Sequence, residues 1–572
     1  MLKTKPTRKS KRKSKQQDAP EAPVLSIKER IAQKKKADRL RKEIINFTIF
    51  AAFFSAIIGL IVGLTGGWKA GVGSGVGILY TSLSFKYPRH ALWAFLIYLP
   101  FGGTITYYIG NSPLLQLAKD GFYIPALFGV IQYCRRENLP LLIPKRLVAP
   151  LAILLVLCLF TLVFVNGMQQ LSATNPLEGT LYAAAEGGLY EDADVSAGGN
   201  PILMGILGLK VLMGYIPLIV CAYYLIRDKK DLLFLTRMTL AIILTCCGLA
   251  FVQYLFLKTG RCEGTRFAQG ANLFRASLEA KCFVGGSLLY SPDQGQIRLP
   301  GTFVAPWQWG WFLISAGFFS FASAFSDPLA RWRTIGLLSM ASVFVMAVLS
   351  GQRIALAVVP VSIGVLLVLT GQVVNLKRFI PAAVILAIVL GVASVNNPAI
   401  VQERVDSFQS RWEASPPQRF ITDQFRWALG VQEGILGKGL GRATNSARVF
   451  GDTAFFETYY PKLIYEIGPL GVLAFLAVVT VLTIETFRAY RSVKERNLRS
   501  YGASFWVFVL LISYNTYYYP LDVDPVAVYY WFFAGVVLKL PELDRQEKLA
   551  VQGIEEPKAS KKRKRLKRAG FS

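Results

Sequence analysis

Little in this sequence suits a soluble protein. Only 17% of its 572 residues are charged, and His90 is the single histidine. Acidic residues are scarce as well, with 35 Asp and Glu against 64 Lys and Arg, so the formal net charge is +29. One histidine excludes a metal site built from several histidines. The low charged fraction, combined with long apolar runs, excludes a soluble enzyme and a disordered scaffold.

Apolar residues, in contrast, make up 53% of the chain. Many stretches hold about 20 apolar residues with few or no charges, which is enough for a helix to cross a hydrocarbon core of roughly 30 Å. The sequence therefore predicts an all-α polytopic membrane protein with about 12–14 transmembrane helices and a large, partly helical outer loop. The predicted spans are 45–64, 69–85, 91–110, 113–133, 147–165, 201–226, 232–257, 303–325, 334–352, 354–373, 378–396, 467–487, 502–519 and 525–540.

The basic residues are distributed unevenly between the predicted loops. With both termini in the cytoplasm, the tails 1–43 and 541–572 and the loops on the same side carry almost the whole excess of +29. This distribution satisfies the positive-inside rule, so we expect a multi-pass protein of the plasma (inner) membrane. Between the tails we predict transmembrane helices 1–11 at 44–396 with outer loops 166–200 and 258–302, a large outer loop at 397–466, and helices 12–14 at 467–540.

The basic clusters Lys9–Lys13 and Lys561–Arg565 lie in these two tails. Neither interleaves aromatic residues with its charges, so we expect no nucleic-acid partner. Each basic residue near the membrane instead contributes about 1 kcal/mol of attraction to anionic lipid headgroups. Anionic lipids are therefore the expected partners of the tails.

Cysteines and glycines add two structural expectations. Of seven cysteines, only Cys262 and Cys282 fall in a predicted outer loop. They are disulfide candidates, which would indicate an oxidising compartment, and two free thiols are the alternative. Alternate glycines at 71–77 form overlapping small-xxx-small pairs, which favour close helix packing over phosphate binding because no strand precedes them.

Two arginines are predicted at outer ends of membrane spans. Arg353 ends the segment Ser350-Gly351-Gln352-Arg353, which joins two spans with almost no loop. Arg298 precedes Gly301 and the start of another span, where tryptophans at 307 and 309 suit an interfacial belt. Charges at such depths are expensive unless they are paired or functional. A functional role is one interpretation, and snorkelling of Arg353 to lipid headgroups is the other.

The predicted outer loop 397–466 holds further candidates. Arg419 and Arg426 come first, followed by the glycine-rich segment Gly437–Gly441. The loop returns to the membrane through Tyr459, Tyr460 and Glu466. A structureless loop of this length is uncommon, so we expect it to fold over the membrane. The glycine segment lacks the strand and the Ser/Thr of a P-loop, and an ordinary turn is its simpler interpretation.

Together these elements resemble the O-antigen ligase and O-antigen polymerase superfamily, the GT-C-like polytopic glycosyltransferases of the cell envelope. The resemblance rests on four ordered motifs. These are Gly301-Thr302-Phe303 at the start of a span, the Ser350 to Arg353 pattern, Arg419 followed by Gly437–Gly441, and Tyr460 with Glu466-Ile467-Gly468-Pro469-Leu470-Gly471 at the loop exit. The general resemblance also suggests a divergent member, of the kind found in cyanobacterial exopolysaccharide (hormogonium polysaccharide) systems.

One position departs from this family. The place where the family has a histidine, thought to help activate the acceptor hydroxyl, is occupied by Glu457. Either Glu457 is the general base, which requires burial to raise its pKa, or the activity differs. The resemblance also implies a late acidic residue on the outer face, for which Asp524 is the first candidate and Asp522 the alternative.

The activity that the resemblance implies is metal-independent glycan transfer without a cofactor. A saccharide on a polyprenyl diphosphate would be ligated to, or polymerised onto, a glycan or lipid acceptor hydroxyl. Arginines bind diphosphate bidentately, so we expect Arg353 and Arg419 to clamp the leaving group, with Arg426 and Arg298 assisting. Glu457 would be the base, and Tyr459, Tyr460 and Asp524 would contact substrate. In the alternative interpretation, the loop arginines pair with carboxylates such as Asp423 or Glu433.

Two other functional classes remain open. A non-catalytic component of a polysaccharide export or assembly machine, with other assembly proteins as partners, is consistent with the missing histidine. A small-solute transporter also has many helices. We find no matching pair of broken spans in two halves and no chain of buried acidic residues in midspan, features that are typical of transporters.

Overall fold

The computed structural model describes residues 27–109, 113–141, 143–174, 199–265, 280–285, 289–291, 296–380 and 416–552, with scattered positions between 384 and 413. These parts of the chain are mostly helical, and nine of their helices are long and apolar enough to cross a membrane. The prediction of an all-α polytopic membrane protein is confirmed. The tails 1–26 and 553–572, and most of the predicted span 378–396, lie outside the described residues.

The nine helices coincide with nine of the predicted spans. They are Arg41–Gly66, Pro88–Ile109, Lys145–Ser172, Pro201–Leu225, Lys229–Lys258, Pro306–Ser326, Ala330–Leu349, Tyr459–Ser492 and Val526–Val551. Four further predicted spans are helical but are shorter or less apolar: Trp68–Lys86, Pro113–Glu137, Arg353–Leu369 and Arg496–Tyr514. Low apolarity has a visible cause in one of them, because Pro113–Glu137 carries Lys119 and Asp120 in its interior.

The α-helices are numbered in chain order as follows: α1 Ile27–Gly66, α2 Trp68–Lys86, α3 Pro88–Tyr98, α4 Gly102–Ile109, α5 Pro113–Glu137, α6 Lys145–Phe160, α7 Gly167–Thr174, α8 Pro201–Met213, α9 Leu218–Leu225, α10 Lys229–Lys258, α11 Pro306–Ser326, α12 Ala330–Leu349, α13 Arg353–Leu369, α14 Pro417–Val431, α15 Tyr459–Ser492, α16 Arg496–Tyr514 and α17 Val526–Val551. A π-helical turn, Thr161–Asn166, joins α6 to α7. The strands β1 Leu289–Ser291 and β2 Gln296–Arg298 form an antiparallel pair with Leu289 opposite Arg298.

The chain divides into two compact units. Met1–Leu83 is the first, in which α1 and most of α2 form a helical hairpin. The hairpin closes at its glycines, since a Cβ on Gly71 would lie 2.6 Å from the carbonyl oxygen of Gly59. A Cβ on Gly73 or Gly77 would meet no atom within 4 Å, so only one of the two predicted glycine pairs lies at the helix contact.

The second unit, Ser84–Ser572, has α11 at its centre. This helix is buried over its whole candidate span and packs against α12, α13 and α16. Its buried side chains include Trp309, Trp311 and Phe319, and the Phe319 ring stacks 4.2 Å from that of Phe533 in α17. An apolar surface all round suits this burial inside the bundle. Its N-terminal end, Pro306, follows soon after β2, which ends at Arg298.

Charged side chains on these helices and their connections form ion pairs. Lys210 of α8 lies 2.8 Å from Asp120 of α5, and Lys119 pairs with Asp524. In α15, Lys462 pairs with Asp522 and lies 3.7 Å from Glu466. The partners of Lys119, of Lys210 and of Lys462 in Asp522 are far apart along the chain, so the sequence alone did not pair them, whereas Lys462 and Glu466 are four residues apart on one helix. Pairing offsets the desolvation that makes lone charges costly in such positions.

Candidate functional site

A cavity of about 420 Å³ opens where the strand pair, the start of α13, the segment before α15 and the segment before α17 meet. Its volume falls within the usual range for small-molecule sites, about 300–1,000 Å³. Four charged side chains reach it: Arg298, Arg353, Arg448 and Glu457. The other lining residues are Pro306, Trp307, Gly351, Gln352, Asn445, Phe455, Tyr518 and Tyr519. The cavity therefore combines a net positive charge with aromatic walls.

A tight turn between α12 and α13 positions the first two arginines. Ser350 is fully buried, and its hydroxyl donates to Ala347 O and accepts from the N–H of Gln352. Gly351 has φ +67°, and a Cβ there would lie 2.2 Å from the carbonyl oxygen of Ile297. Only glycine fits this approach, which seats the turn on β2.

The strand then completes the arginine pair. Leu299 N–H donates to Ser350 O at 3.0 Å, which fixes β2 against the turn. Arg298 precedes the donor residue and Arg353 begins α13, so the two guanidinium groups reach the same cavity. The turn Ser350-Gly351-Gln352-Arg353 therefore places Arg353 at the same cavity as Arg298.

Backbone hydrogen bonds fix Glu457 at the end of its loop. Thr458 forms an isolated antiparallel bridge with Tyr517, and Tyr459 N–H donates to Thr516 O at 2.6 Å. The backbone N–H of Glu457 itself donates to the side-chain oxygen of Gln424 in α14 at 3.1 Å. The Glu457 carboxylate therefore lies on a segment held in place by Gln424, Thr516 and Tyr517.

The charges in the cavity influence one another. Burial raises the pKa of the Glu457 carboxyl above its ordinary 4.5, and the nearby Arg298 and Arg353 oppose that rise. Burial also lowers the pKa of the Arg298 guanidinium, which stays cationic because the ordinary value is 12.5. A carboxyl with a raised pKa, close to two cations, has the properties of a general base at a site that binds anions.

Tyr518 and Tyr519 form part of the wall in an unusual backbone conformation. Their φ values are +54° and +32°, a region that tyrosine rarely adopts. The carbonyl oxygen of Tyr518 accepts a 3.0 Å hydrogen bond from the indole N–H of Trp311 in α11. Burial raises the pKa of Tyr519. Its neutral hydroxyl therefore remains a hydrogen-bonding group at ordinary pH.

The helix α14 approaches the cavity region with one face only. Phe420 packs edge-on to Tyr517 at 5.7 Å, Gln424 holds the backbone of Glu457, and Trp427 stacks on Phe456 at 4.1 Å. The neighbouring, solvent-exposed face carries Arg419 and Arg426, whose side chains are 82% and 77% exposed and lie beside Asp423. The two loop arginines expected in the clamp do not line the cavity. They adopt the alternative ion pairing with Asp423.

The remaining predicted contact residues also lie away from the cavity lining. Tyr459 and Tyr460 are buried, Tyr459 packs on Phe475 at 5.5 Å, and the Tyr460 hydroxyl donates to Ser513 O. Asp524 is ion-paired with Lys119. Asp522, the alternative acidic candidate, is ion-paired with Lys462. The described contacts of these four residues are therefore with other parts of the protein.

The glycine-rich segment has a structural role in the described contacts. Lys438 N–H and Gly439 N–H donate to the carbonyl oxygens of Tyr465 and Glu466. A Cβ on Gly437 would lie 2.6 Å from the backbone nitrogen of Gly468, where the long helix α15 kinks. The segment is therefore a turn packed against a helix kink, as in its simpler interpretation.

The motif glutamate, Glu466, belongs to the same structural unit. Its side chain is 2% exposed and accepts hydrogen bonds from Ala443 N–H at 2.8 Å and from the Thr444 hydroxyl at 2.9 Å. Lys462 lies 3.7 Å from it. Glu466 thus joins the start of α15 to the loop that leads into the cavity.

Cys262 and Cys282 form a disulfide with Cα atoms 5.6 Å apart. Their segment is attached to α10, because the side-chain amide of Gln253 donates to Cys282 O at 3.2 Å. The bond links parts of the loop that ends in β1 and β2, and hence in Arg298. The other five cysteines are buried and form no disulfide.

Sequence reasoning missed the aromatic and polar part of the cavity. Asn445, Arg448 and Phe455 belong to no motif, and Tyr518 and Tyr519 lie in a short connection next to an apolar helix. The one usable signal was the run Tyr517-Tyr518-Tyr519-Pro520 between two apolar segments.

These observations define the class: a polytopic helical membrane protein with an arginine-rich, aromatic-walled cavity at one end of the bundle. The chain matches no family model and no curated protein sequence.

Proposed function

We propose that this protein is a membrane glycosyltransferase of surface polysaccharide biosynthesis, which moves a saccharide from a polyprenyl diphosphate to an acceptor hydroxyl. One observation carries the proposal: Arg298, Arg353 and Glu457 line a single cavity. A base beside two cations is what this transfer requires, since the acceptor loses a proton while the leaving diphosphate gains charge.

The reaction balances without a metal or a cofactor. Glu457 takes the proton of the acceptor hydroxyl, and the acceptor oxygen forms a bond to the anomeric carbon. The bond between that carbon and the diphosphate oxygen breaks, and its electron pair leaves with the diphosphate. Arg298 and Arg353 bind the departing oxygens through charge-assisted hydrogen bonds, which are strongest when the negative charge is fully developed.

We further propose that the cavity faces the outer side of the plasma membrane and that both tails are cytoplasmic. The uneven distribution of basic residues supports this orientation. The disulfide supports it too, because disulfides persist mainly in oxidising compartments. The walls around the cavity expose Trp307 and Phe455, aromatic surfaces on which a sugar ring can pack.

A complementation experiment tests this function. Cells that lack the chain are given the wild-type protein or the variants Arg353→Ala and Glu457→Gln, and surface polysaccharide is measured at equal protein level in the membrane. We expect polymer with the wild type and a loss of at least a hundredfold with either variant. Normal polymer with both variants would overturn the enzymatic assignment in favour of a non-catalytic assembly component.

A further inference from the structure

The cavity has a second group of lining residues that the proposed transfer does not use. Asn445 and Arg448 come from the 3₁₀ turn Asn445–Val449, and Phe455 comes from the loop that follows. The Arg448 guanidinium lies 5.7 Å from the centre of the Phe455 ring. Its Nε donates to the Thr453 hydroxyl at 3.0 Å. Two contacts therefore orient this side chain.

Arg448 differs from the arginines on α14. Arg419 and Arg426 both pair with Asp423, whereas among the described residues no carboxylate lies within ion-pair distance of Arg448. The hydrogen bond to Thr453 uses Nε alone, so both terminal nitrogens of the fork keep their donors for a ligand. A fork of this kind matches the two oxygens of a carboxylate.

Phe455 is the aromatic residue of this second group. It lines the cavity and 53% of its surface is exposed, so its ring is accessible to a ligand. The face of an aromatic ring carries negative charge density, and the C–H bonds on one face of a pyranose are weakly positive. A sugar ring can therefore cover Phe455, and a carboxylate on that sugar would then lie next to Arg448.

We propose that Asn445, Arg448 and Phe455 form a subsite for a sugar that bears a carboxylate, a uronic acid being the simplest member of the class. This inference rests on the proposed function, because it names the kind of saccharide transferred. Arg298 and Arg353 serve the diphosphate, and Arg448 is a third cation for a second anionic group. Asn445 provides amide donors and an acceptor for sugar hydroxyls.

Binding by the purified full-length protein in lipid nanodiscs tests the subsite. The probes are a tetrasaccharide of alternating glucose and glucuronic acid and a tetrasaccharide of glucose alone, and their binding is measured by isothermal titration calorimetry. We expect the wild type to bind the acidic probe at least tenfold more tightly, because a charge-assisted bidentate contact discriminates by that order. Arg448→Gln removes the preference, and Phe455→Ala weakens the binding of both probes.

A matched control keeps the test specific. Arg261 is another exposed arginine beside a phenylalanine, 5.3 Å from the ring of Phe256, and it does not line the cavity. Arg261→Gln is expected to retain the full preference for the acidic probe. Equal affinity of the wild type for both probes, or an unchanged preference in a folded Arg448→Gln protein, would overturn the subsite.

A third probe separates this inference from the proposed function. Farnesyl diphosphate is expected to bind the wild type and to lose at least tenfold in affinity with Arg353→Gln, whose preference for the acidic sugar persists. If farnesyl diphosphate fails to bind while the Arg448-dependent preference remains, the transferase proposal fails and the acidic-sugar subsite stands.

Discussion

The backbone N–H of Leu299 donates a 3.0 Å hydrogen bond to the carbonyl oxygen of Ser350. This contact joins two segments that lie fifty residues apart, and each segment carries one cavity arginine. The backbone of these two segments therefore brings Arg298 and Arg353 to the same cavity. Disturbing the turn is expected to disturb both arginines together.

The substitution Gly351→Ala tests this coupling. Alanine at φ +67° is strained, and its Cβ would lie 2.2 Å from Ile297 O, so β2 and the turn must move apart. We expect a loss of transfer activity with a stability loss of about 1–3 kcal/mol. The control is Gly364→Ala in the middle of α13, where a Cβ meets no atom within 4 Å. Equal activity of the two variants would contradict the proposed role of the turn.

The pH dependence of the reaction reports on Glu457. Only the carboxylate accepts a proton, and burial raises its pKa above 4.5, so the transfer rate is expected to rise with pH above that value and then level off. Glu457→Gln is expected to lower the rate by about 10²–10⁴-fold, and Glu457→Asp to retain part of it. Glu433→Gln, which alters an exposed loop glutamate, is the control. The same pH profile in the Glu457→Gln variant would exclude Glu457 as the base.

The raised pKa of Glu457 affects stability in the opposite direction from activity, because stability is expected to fall as pH rises. The folded protein binds the Glu457 proton more tightly than the unfolded chain does. Protonation therefore favours folding at low pH, and this contribution is lost as pH rises through the folded-state pKa. Thermal unfolding of wild type and Glu457→Gln across this range measures it: the difference in melting temperature between them should widen in favour of the variant as pH rises.

Substitution of Arg353 and of Arg419 tests whether the cavity or the sequence motif identifies the functional arginines. Both Arg353 and Arg419 were expected to clamp the diphosphate, but Arg419 is 82% exposed and lies 3.8 Å from Asp423. Exposed ion pairs of this type contribute about 0–1 kcal/mol. We therefore expect Arg419→Ala to keep most of the activity and Arg353→Ala to lose it, measured as polymer per unit of membrane protein. A comparable loss in Arg419→Ala would contradict the assignment of the leaving-group site to the cavity arginines.

Substitution of Glu466 is expected to affect folding more than chemistry. Glu466→Ala leaves the Ala443 N–H and the Thr444 hydroxyl without their acceptor and leaves Lys462 with Asp522 as its one remaining carboxylate. Breaking a buried network of this kind destabilises proteins by about 3–5 kcal/mol. Glu466→Gln keeps an acceptor and should be milder. Melting temperatures in detergent decide the matter, and an Ala variant as stable as the wild type would rule out the structural role.

The membrane architecture could be predicted from the sequence because it depends on local composition. Nine predicted spans correspond to nine apolar helices. Of the first-choice residues Arg353, Arg419 and Glu457, the structure brings Arg353 and Glu457 to one cavity, together with the second-choice Arg298, and leaves Arg419 outside it. Arg419 and Arg426 were expected to line the site but do not, because they share one exposed face of α14 with Asp423. Phe420, Gln424 and Trp427 are residues of α14 that contact the rest of the protein. That periodicity was present in the sequence.

Other features could not be predicted from local pattern. The ion pairs of Lys119 with Asp524 and of Lys210 with Asp120 join residues that are far apart along the chain, so no spacing rule indicates them. The left-handed conformation of Tyr518 and Tyr519 runs against the preference of tyrosine itself. It is imposed by tertiary contacts, including the hydrogen bond from Trp311 to Tyr518 O.

This pair of tyrosines resists a usual route to a more stable protein. Glycine at position 518 or 519 would relieve backbone strain of about 1–2 kcal/mol per position. The same change would delete a packed aromatic side chain from the cavity wall, and deletion of a buried aromatic side chain costs about 3–5 kcal/mol. Screens for thermostable variants will therefore retain the strained tyrosines, because their packing outweighs the strain.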